Sequence, residues 1–174
     1  MQNALSYFSN HDCIGTLRDN AAKIKERFDE LIEAEKIEKV NIIAHSKGGI
    51  EARLLISSLG SAPHIKKTVT ELSSESMEKF NAENPDDPAV CYFSYAGKMK
   101  NSFSDLIFFF TFPIIKCTDG DNDGLVPVES AKWGIFKGVI KSKGIRGISH
   151  ADAVDLRRSA VGGLDITDVY VEYV

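Results

Sequence analysis

Three residues in this chain have the types and order needed for nucleophilic chemistry: Ser46, Asp123 and His150. Ser46 sits in Ala44-His45-Ser46-Lys47-Gly48, a small-x-Ser-x-small pentad. The β-branched run Val40-Asn41-Ile42-Ile43 precedes it, and a stretch with helical spacing of apolar residues follows. A serine at so sharp a strand-to-helix turn is expected to take strained backbone angles, with small neighbours to avoid collisions. It lifts its hydroxyl above the sheet and sets the Lys47 N–H at a helix N-terminus, where it can bind an oxyanion. An ordinary junction with a capping serine would read much the same locally, so the partners decide.

A serine hydroxyl needs a base, and that base needs an orienting acid. On a strand-turn-helix nucleophile the order along the chain is Ser, then acid, then His. Two histidines follow Ser46. His64, in "SAPHIKK", comes too soon for an acid loop to intervene and reads as a surface residue, whereas His150, in "GISHADAV", lies in a late Gly/Ser loop. For the acid, "KCTDGDNDGLVPVESA" offers Asp119, Asp121 and Asp123; we select Asp123, flanked by the turn-forming Asn122 and Gly124. The same stretch begins like a calcium loop, but Ser130 stands where the bidentate Glu belongs and Glu129 falls one short, which argues against an EF-hand.

These residues must be positioned by regular elements. Leu17, Ala21, Ile24, Phe28, Leu31 and Ile32 repeat at three and four, predicting a helix over 16–35 with one apolar stripe. Continuous apolar character predicts the strand before Ser46, covered by helices on both faces of a parallel sheet, and a helix over 48–59 follows. Further expected elements are a short strand in "ALSYFS", a strand in "KKTVTEL", a helix in "SSESMEKFNAEN" capped by Ser73 or Ser74, and a strand in "AVCYFSYAG". "PIIKC" allows a strand or a helix; a short helix near Ser130–Gly134 and a strand in "GVIKS" come next, and "ITDVYVEYV" begins a helix or a last strand. No repeat or low-complexity linker interrupts the pattern, so we expect one α/β domain over residues 1–174.

Composition narrows the class. With 43% hydrophobic and 26% charged residues among 174, the chain reads as globular and large enough to bury a core. A net charge of -4, with basic residues scattered apart from "KGVIKSKGIR", argues against a nucleic-acid partner. The 3 cysteines, Cys13, Cys91 and Cys117, lack any C-x-x-C spacing and read as buried free thiols, neither a disulfide framework nor a zinc site. The N-terminus shows no basic region followed by an apolar one, so the cytoplasm is the default expectation, with secretion open should a leader lie upstream. The segment "SFSDLIFFFTFP" carries five of the 10 phenylalanines and reads either as an acyl-binding wall or lid meeting lipid, or as buried core.

The stretches "NIIAHSKGG", "DNDGLVPVESAKWG" and "HADAVDL", with "DNAAKIKERFDEL" ahead of them, resemble the bacterial triacylglycerol lipases of the α/β-hydrolase superfamily, in the family's order. The resemblance implies a mostly parallel sheet with helices on both faces, here reduced in size. It also implies hydrolysis of carboxylic esters through an acyl-enzyme, with Ser46 as nucleophile, Asp123 as acid and His150 as base. The chain departs from the family in three places. No His-Gly type oxyanion loop occurs in the 45 residues before Ser46, "ELSSES" replaces a Thr-Pro-His-Arg-Gly type loop, and the last helix is short. Losing one oxyanion donor costs a hundred- to a thousandfold in rate as an order of magnitude. A catalytically weak or inactive fold acting as a binding or assembly module is therefore the alternative, with acyl transfer to another acceptor a third reading. Sheet edges left open by missing strands lead us to expect self-association. Some relatives hold a structural calcium through an aspartate two residues after the histidine. Asp152 matches that position, but Leu156 stands where a supporting glutamine belongs. The reading assigns no cofactor or metal and keeps Asp152 as a weak calcium candidate.

Overall fold

The computed structural model describes residues 6–9, 14–71, 77–156 and 160–172. Helix α1 (Leu17–Glu35) opens on Thr16, whose hydroxyl accepts the Asp19 N–H at 3.1 Å, and closes on Lys36 in the left-handed region. Strand β1 (Val40–His45) runs into helix α2 (Lys47–Ser57), and β2 (Ile65–Glu71), α3 (Met77–Glu83), β3 (Cys91–Ala96), α4 (Thr111–Thr118), β4 (Ile135–Val139) and α5 (Ile166–Glu172) follow. The four strands lie in the order β1-β2-β3-β4, and each neighbouring pair is parallel. Parallel neighbours require long crossovers, which α2, α3 and the α4 region supply.

Alternation along β3 divides the core between the two faces of the sheet. Tyr92 packs with Phe28 of α1, Leu55 and Ile56 of α2, and Ile65, with Val40 and Ile42 of β1 beside them. Phe93 and Tyr95 face the other way, onto Ile148, Ala153, Val161 and Ile166. Helices thus cover both faces, as expected, but unevenly: Ile43 of β1 is 46% exposed on an edge strand, so its apolar run is not buried on both sides.

Several local expectations are corrected. Ser6–Ser9 form no strand, and Ala4 and Leu5 lie outside the described residues. "PIIKC", which the sequence left open between strand and helix, is helical; the segment expected to be a short helix near Ser130–Gly134 is a turn leading to Gly134, and the strand expected in "GVIKS" lies earlier, at Ile135–Val139. The proposed caps Ser73 and Ser74 fall outside the described residues. Cys91 and Cys117 are exposed rather than buried, because Cys91 starts its strand at the rim and Cys117 is on the outer face of α4; Cys13 is not among the described residues. Among the described residues, no helix is long and apolar enough to cross a membrane.

Candidate active site

Ser46 joins β1 to α2 with no intervening loop. Its backbone lies at φ 51, ψ -128, a region that costs a non-glycine residue of order 1–3 kcal/mol. The serine side chain makes no capping hydrogen bond to α2, so its hydroxyl is not spent on holding the helix. This departs from the capping-serine junction that the sequence left open. The bond from the Gly49 N–H to the Ser46 carbonyl, 2.9 Å, starts the helix. The expected collision at Gly48 is not found: a Cβ built there meets nothing within 4 Å. Behind the turn, the Lys47 ammonium binds the Gly15 carbonyl and lies 3.5 Å from Glu51, whose fully buried carboxylate accepts the Asn20 amide at 2.7 Å. This set ties the start of α1 to the first turn of α2.

His150 and Asp123 meet twice. The His150 N–H donates to the Asp123 carbonyl at 2.9 Å, and His150 Nδ1 lies 2.7 Å from Asp123 Oδ2. Asp123 is 1% exposed and His150 8%. The other carboxylate oxygen, Oδ1, accepts the Leu125 and Val126 N–H groups at 2.9 and 2.7 Å, fixing the carboxylate plane. The buried side chain of Asn122 builds the turn by donating to Phe112 O and Gly120 O and accepting from Gly124 N. Gly124 has φ 99, and a Cβ there would fall 2.4 Å from Phe108 and 2.8 Å from the Met99 sulfur, so only glycine lets the turn press against them.

Ring contacts bring the His150 turn to the serine turn. The His150 ring centroid lies 4.3 Å from that of His45, the residue before Ser46, and 6.3 Å from that of Phe108. The crevice at the carboxyl ends of parallel strands is where ligands of open α/β sheets bind, and Ser46 follows β1 there. His64 lies at the opposite end: Ile65, which follows it, pairs with Val40 at the start of β1, whereas His45 pairs with Glu71. His64 is exposed, as read from the sequence, and far from the serine.

The neighbouring carboxylates are used elsewhere. Asp121 binds Lys98 and Lys116, which hold its carboxyl below the usual range chiefly through their hydrogen bonds, and Asp119 accepts the Thr118 hydroxyl. Asp119, Asp121 and Asp123 therefore serve separate partners and do not converge as in a calcium loop. Asp152 is buried, and its Oδ2 takes Arg146 Nη2 at 3.2 Å and the Ser149 N–H at 3.1 Å. A guanidinium against that carboxylate does not fit a second cation there. Among the described residues, no group of three His, Cys, Asp or Glu side chains is arranged to hold a metal ion.

The phenylalanine-rich segment is mostly surface. Phe103, Leu106, Ile107, Phe110 and Ile114 are 64% exposed or more, while Phe112 is buried and Phe108 turns toward His150. Sequence reasoning missed Asp105, Arg146 and Ser149, which brace the His150 turn, and Asn20 and Glu51 behind the serine.

No family model matches the sequence. The chain is similar to triacylglycerol lipase 2 of Saccharomyces cerevisiae, 24% identical over an alignment of 173 positions that covers 77% of this chain and 51% of the relative. It thus spans about half the length of the curated relative it matches. Among solved structures, the mature form of the Bacillus licheniformis lipase BlEst2 superposes with a TM-score of 0.63 at 17% identity, covering 82% of this chain and 74% of that one. The propeptide form of the same lipase gives 0.60 at 15% identity, over 86% and 42%. One relative is fungal and the structural neighbours are bacterial, so the likeness is not confined to bacterial proteins; the chain has the α/β fold of these lipases at a smaller size.

Proposed function

We propose that this protein is a serine-dependent carboxylic ester hydrolase, lipase-like, whose α/β fold carries a Ser46-Asp123-His150 triad. The observation that carries this reading is the strained, uncapped Ser46 at φ 51, ψ -128, beside a turn in which a buried Asp123 engages His150 Nδ1 at 2.7 Å. Bonded this way, Nδ1 holds the imidazole proton and Nε2 is left basic.

Ser46 Oγ attacks the ester carbonyl carbon as Nε2 takes its proton, and the carbonyl π electrons move to oxygen. The Lys47 N–H at the start of α2 donates to that oxyanion. Collapse breaks the bond to the alkoxy group, which leaves as the alcohol with the proton from Nε2, and Ser46 keeps the acyl group. Water then attacks the acyl-enzyme with His150 as base, releasing the acid and restoring Ser46. The exposed apolar residues between Phe103 and Ile114 support a lipid-like ester presented at an interface.

The reading is tested by treating folded protein with a fluorescent fluorophosphonate beside Ser46→Ala. Labelling of the native chain alone, together with turnover of p-nitrophenyl esters, is the expected result; a folded native sample that takes no label refutes it. Among the described residues β1 is an edge strand, and its half-exposed Ile43 favours a second reading as a binding or assembly module. That module would label slowly or not at all and turn over no ester.

A further inference from the structure

The turn carrying His150 is braced by a charged cluster that no step above uses. Asp105 and Asp152 are both buried, 2% and 4% exposed, and both act on Ser149, the residue before His150. The Ser149 hydroxyl donates to Asp105 Oδ2 at 2.7 Å and accepts the Asp152 N–H at 3.2 Å, while the Ser149 N–H donates to Asp152 Oδ2 at 3.1 Å. Arg146 supplies the positive charge. Its Nη2 reaches Asp152 Oδ2 at 3.2 Å, and its Nε donates to the Ser104 carbonyl at 2.6 Å, next to Asp105. The Arg146 carbonyl in turn accepts the Lys100 N–H at 2.9 Å and the Ser104 hydroxyl. Gly147, at φ 78, lets the two segments close, since a Cβ there would lie 2.3 Å from the Lys98 carbonyl.

One planar guanidinium therefore bridges the segment entering the apolar stretch and the turn holding the imidazole, and it neutralises a buried carboxylate. Such bridging suits arginine, whose fork donates in two directions at once, and not lysine, a point charge. We propose that Arg146 is a positioning residue for His150, a built-in cation that does for this turn what a bound metal ion would do, so that the turn needs none. The kinetic part of the proposal rests on the hydrolase reading; the structural part does not.

The test uses the full chain, comparing the native protein with Arg146→Ala and Arg146→Lys. The first readout is independent of activity: the low-field proton NMR resonance of the His150 Nδ1–H bonded to Asp123. It is expected to be present in the native protein, lost or broadened in R146A, and shifted in R146K. In kinetics with a soluble p-nitrophenyl ester, kcat of R146A should fall about ten- to a hundredfold, the scale of a small misplacement of a catalytic group, with KM within about twofold. R146K should lose less, and millimolar guanidinium should restore part of the R146A loss. A native-like resonance in either folded variant, or an R146A kcat within about twofold of native, overturns the proposal; R146K keeps it testable if R146A does not fold. Calcium should leave the melting temperature of the native protein unchanged, and a calcium-induced rise abolished by Asp152→Asn would overturn the built-in cation. A native protein inert toward every ester removes the hydrolase reading and leaves the resonance test standing.

Discussion

Asp123→Asn tests the site most directly, because the structure dictates how the new amide must sit. Oδ1 of Asp123 accepts two backbone N–H groups, from Leu125 and Val126, at 2.9 and 2.7 Å. An asparagine that turned its NH2 toward them would set donors against donors, so its carbonyl oxygen has to take the Oδ1 position. The NH2 then faces His150 Nδ1, 2.7 Å away in the native protein. Nδ1 must become the acceptor, the proton moves to Nε2, and the imidazole can no longer take the Ser46 proton. A wrong tautomer in a triad of this kind costs about 10⁴ in kcat, which corresponds to about 5.5 kcal/mol of transition-state stabilisation. Stability should change little, since every backbone bond to the side chain survives. The assay is the rate of fluorophosphonate labelling and of p-nitrophenyl ester hydrolysis at neutral pH, with Asp119→Asn and Asp121→Asn as controls expected to stay near native. D123N within tenfold of native, or a control that falls as far, would show that the histidine is not oriented by this carboxylate.

Three other outcomes follow from the same structure. Leu106 and Phe110 are each 76% exposed or more, and burying such side chains in an apolar phase is worth about 1.5–3 kcal/mol each. Replacing both by serine should therefore weaken turnover of emulsified ester by about a hundredfold or more while sparing a soluble short-chain ester; equal losses on both substrates would count against an interfacial role. Asp121 is held ionised by hydrogen bonds from Lys116 and Lys98, so its folded-state value is depressed. Its contribution is present above the ordinary aspartate value of about 4 and disappears as pH falls through the lower folded value. Asp121→Asn should then melt below native at neutral pH and converge with it in acid, with a gap that shrinks in high salt because the carboxylate and both lysines are partly exposed; a gap independent of pH would refute this. The position of β1 at the edge of the sheet among the described residues leads us to propose self-association, seen as a sedimentation coefficient that rises with concentration, and a monomer at all concentrations would exclude it.

How much of this was legible in the sequence depended on whether local pattern or distant contact decides the outcome. The α1 stripe and the runs now in β1, β2 and β3 were readable because burial of one face or of a whole strand imposes a period on the residues, whereas the strand expected in "GVIKS" was placed too late and shares only Gly138 and Val139 with β4. The Ser46 turn and the Asp123–His150 pairing were readable because turn chemistry restricts the residues around them. "PIIKC" was not, since a short apolar run fits a helix or a strand until its surroundings choose, and here Thr111 binds the Gly124 carbonyl and Asn122 binds the Phe112 carbonyl. Cys91 and Cys117 were misread because composition says nothing about which end of an element meets solvent. Arg146, Asp105 and Ser149 were out of reach for the same reason: Asp105 and Ser149 lie 44 positions apart, and only the pairing of the two segments brings them together.

The geometry also explains how a strained serine persists. At an order of 1–3 kcal/mol, the backbone of Ser46 would relax unless both flanking elements were fixed. β1 is fixed by its parallel register with β2, Ala44 opposite Thr70 and His45 opposite Glu71. α2 is fixed by Leu55 and Ile56 in the core shared with Phe28 of α1, and by buried Glu51 against Asn20. Asp123 and His150 depend on a different support. The Asp123 turn rests on α4 through Thr111 and Asn122, and the His150 turn rests on Ser104 and Asp105 through Arg146 and Ser149. Both supports belong to the one segment, 102–118, that also carries Phe103, Leu106, Phe110 and Ile114 at the surface. A force on that apolar face therefore acts first on Asp123 and His150, while Ser46 is held by α1, α2 and the sheet.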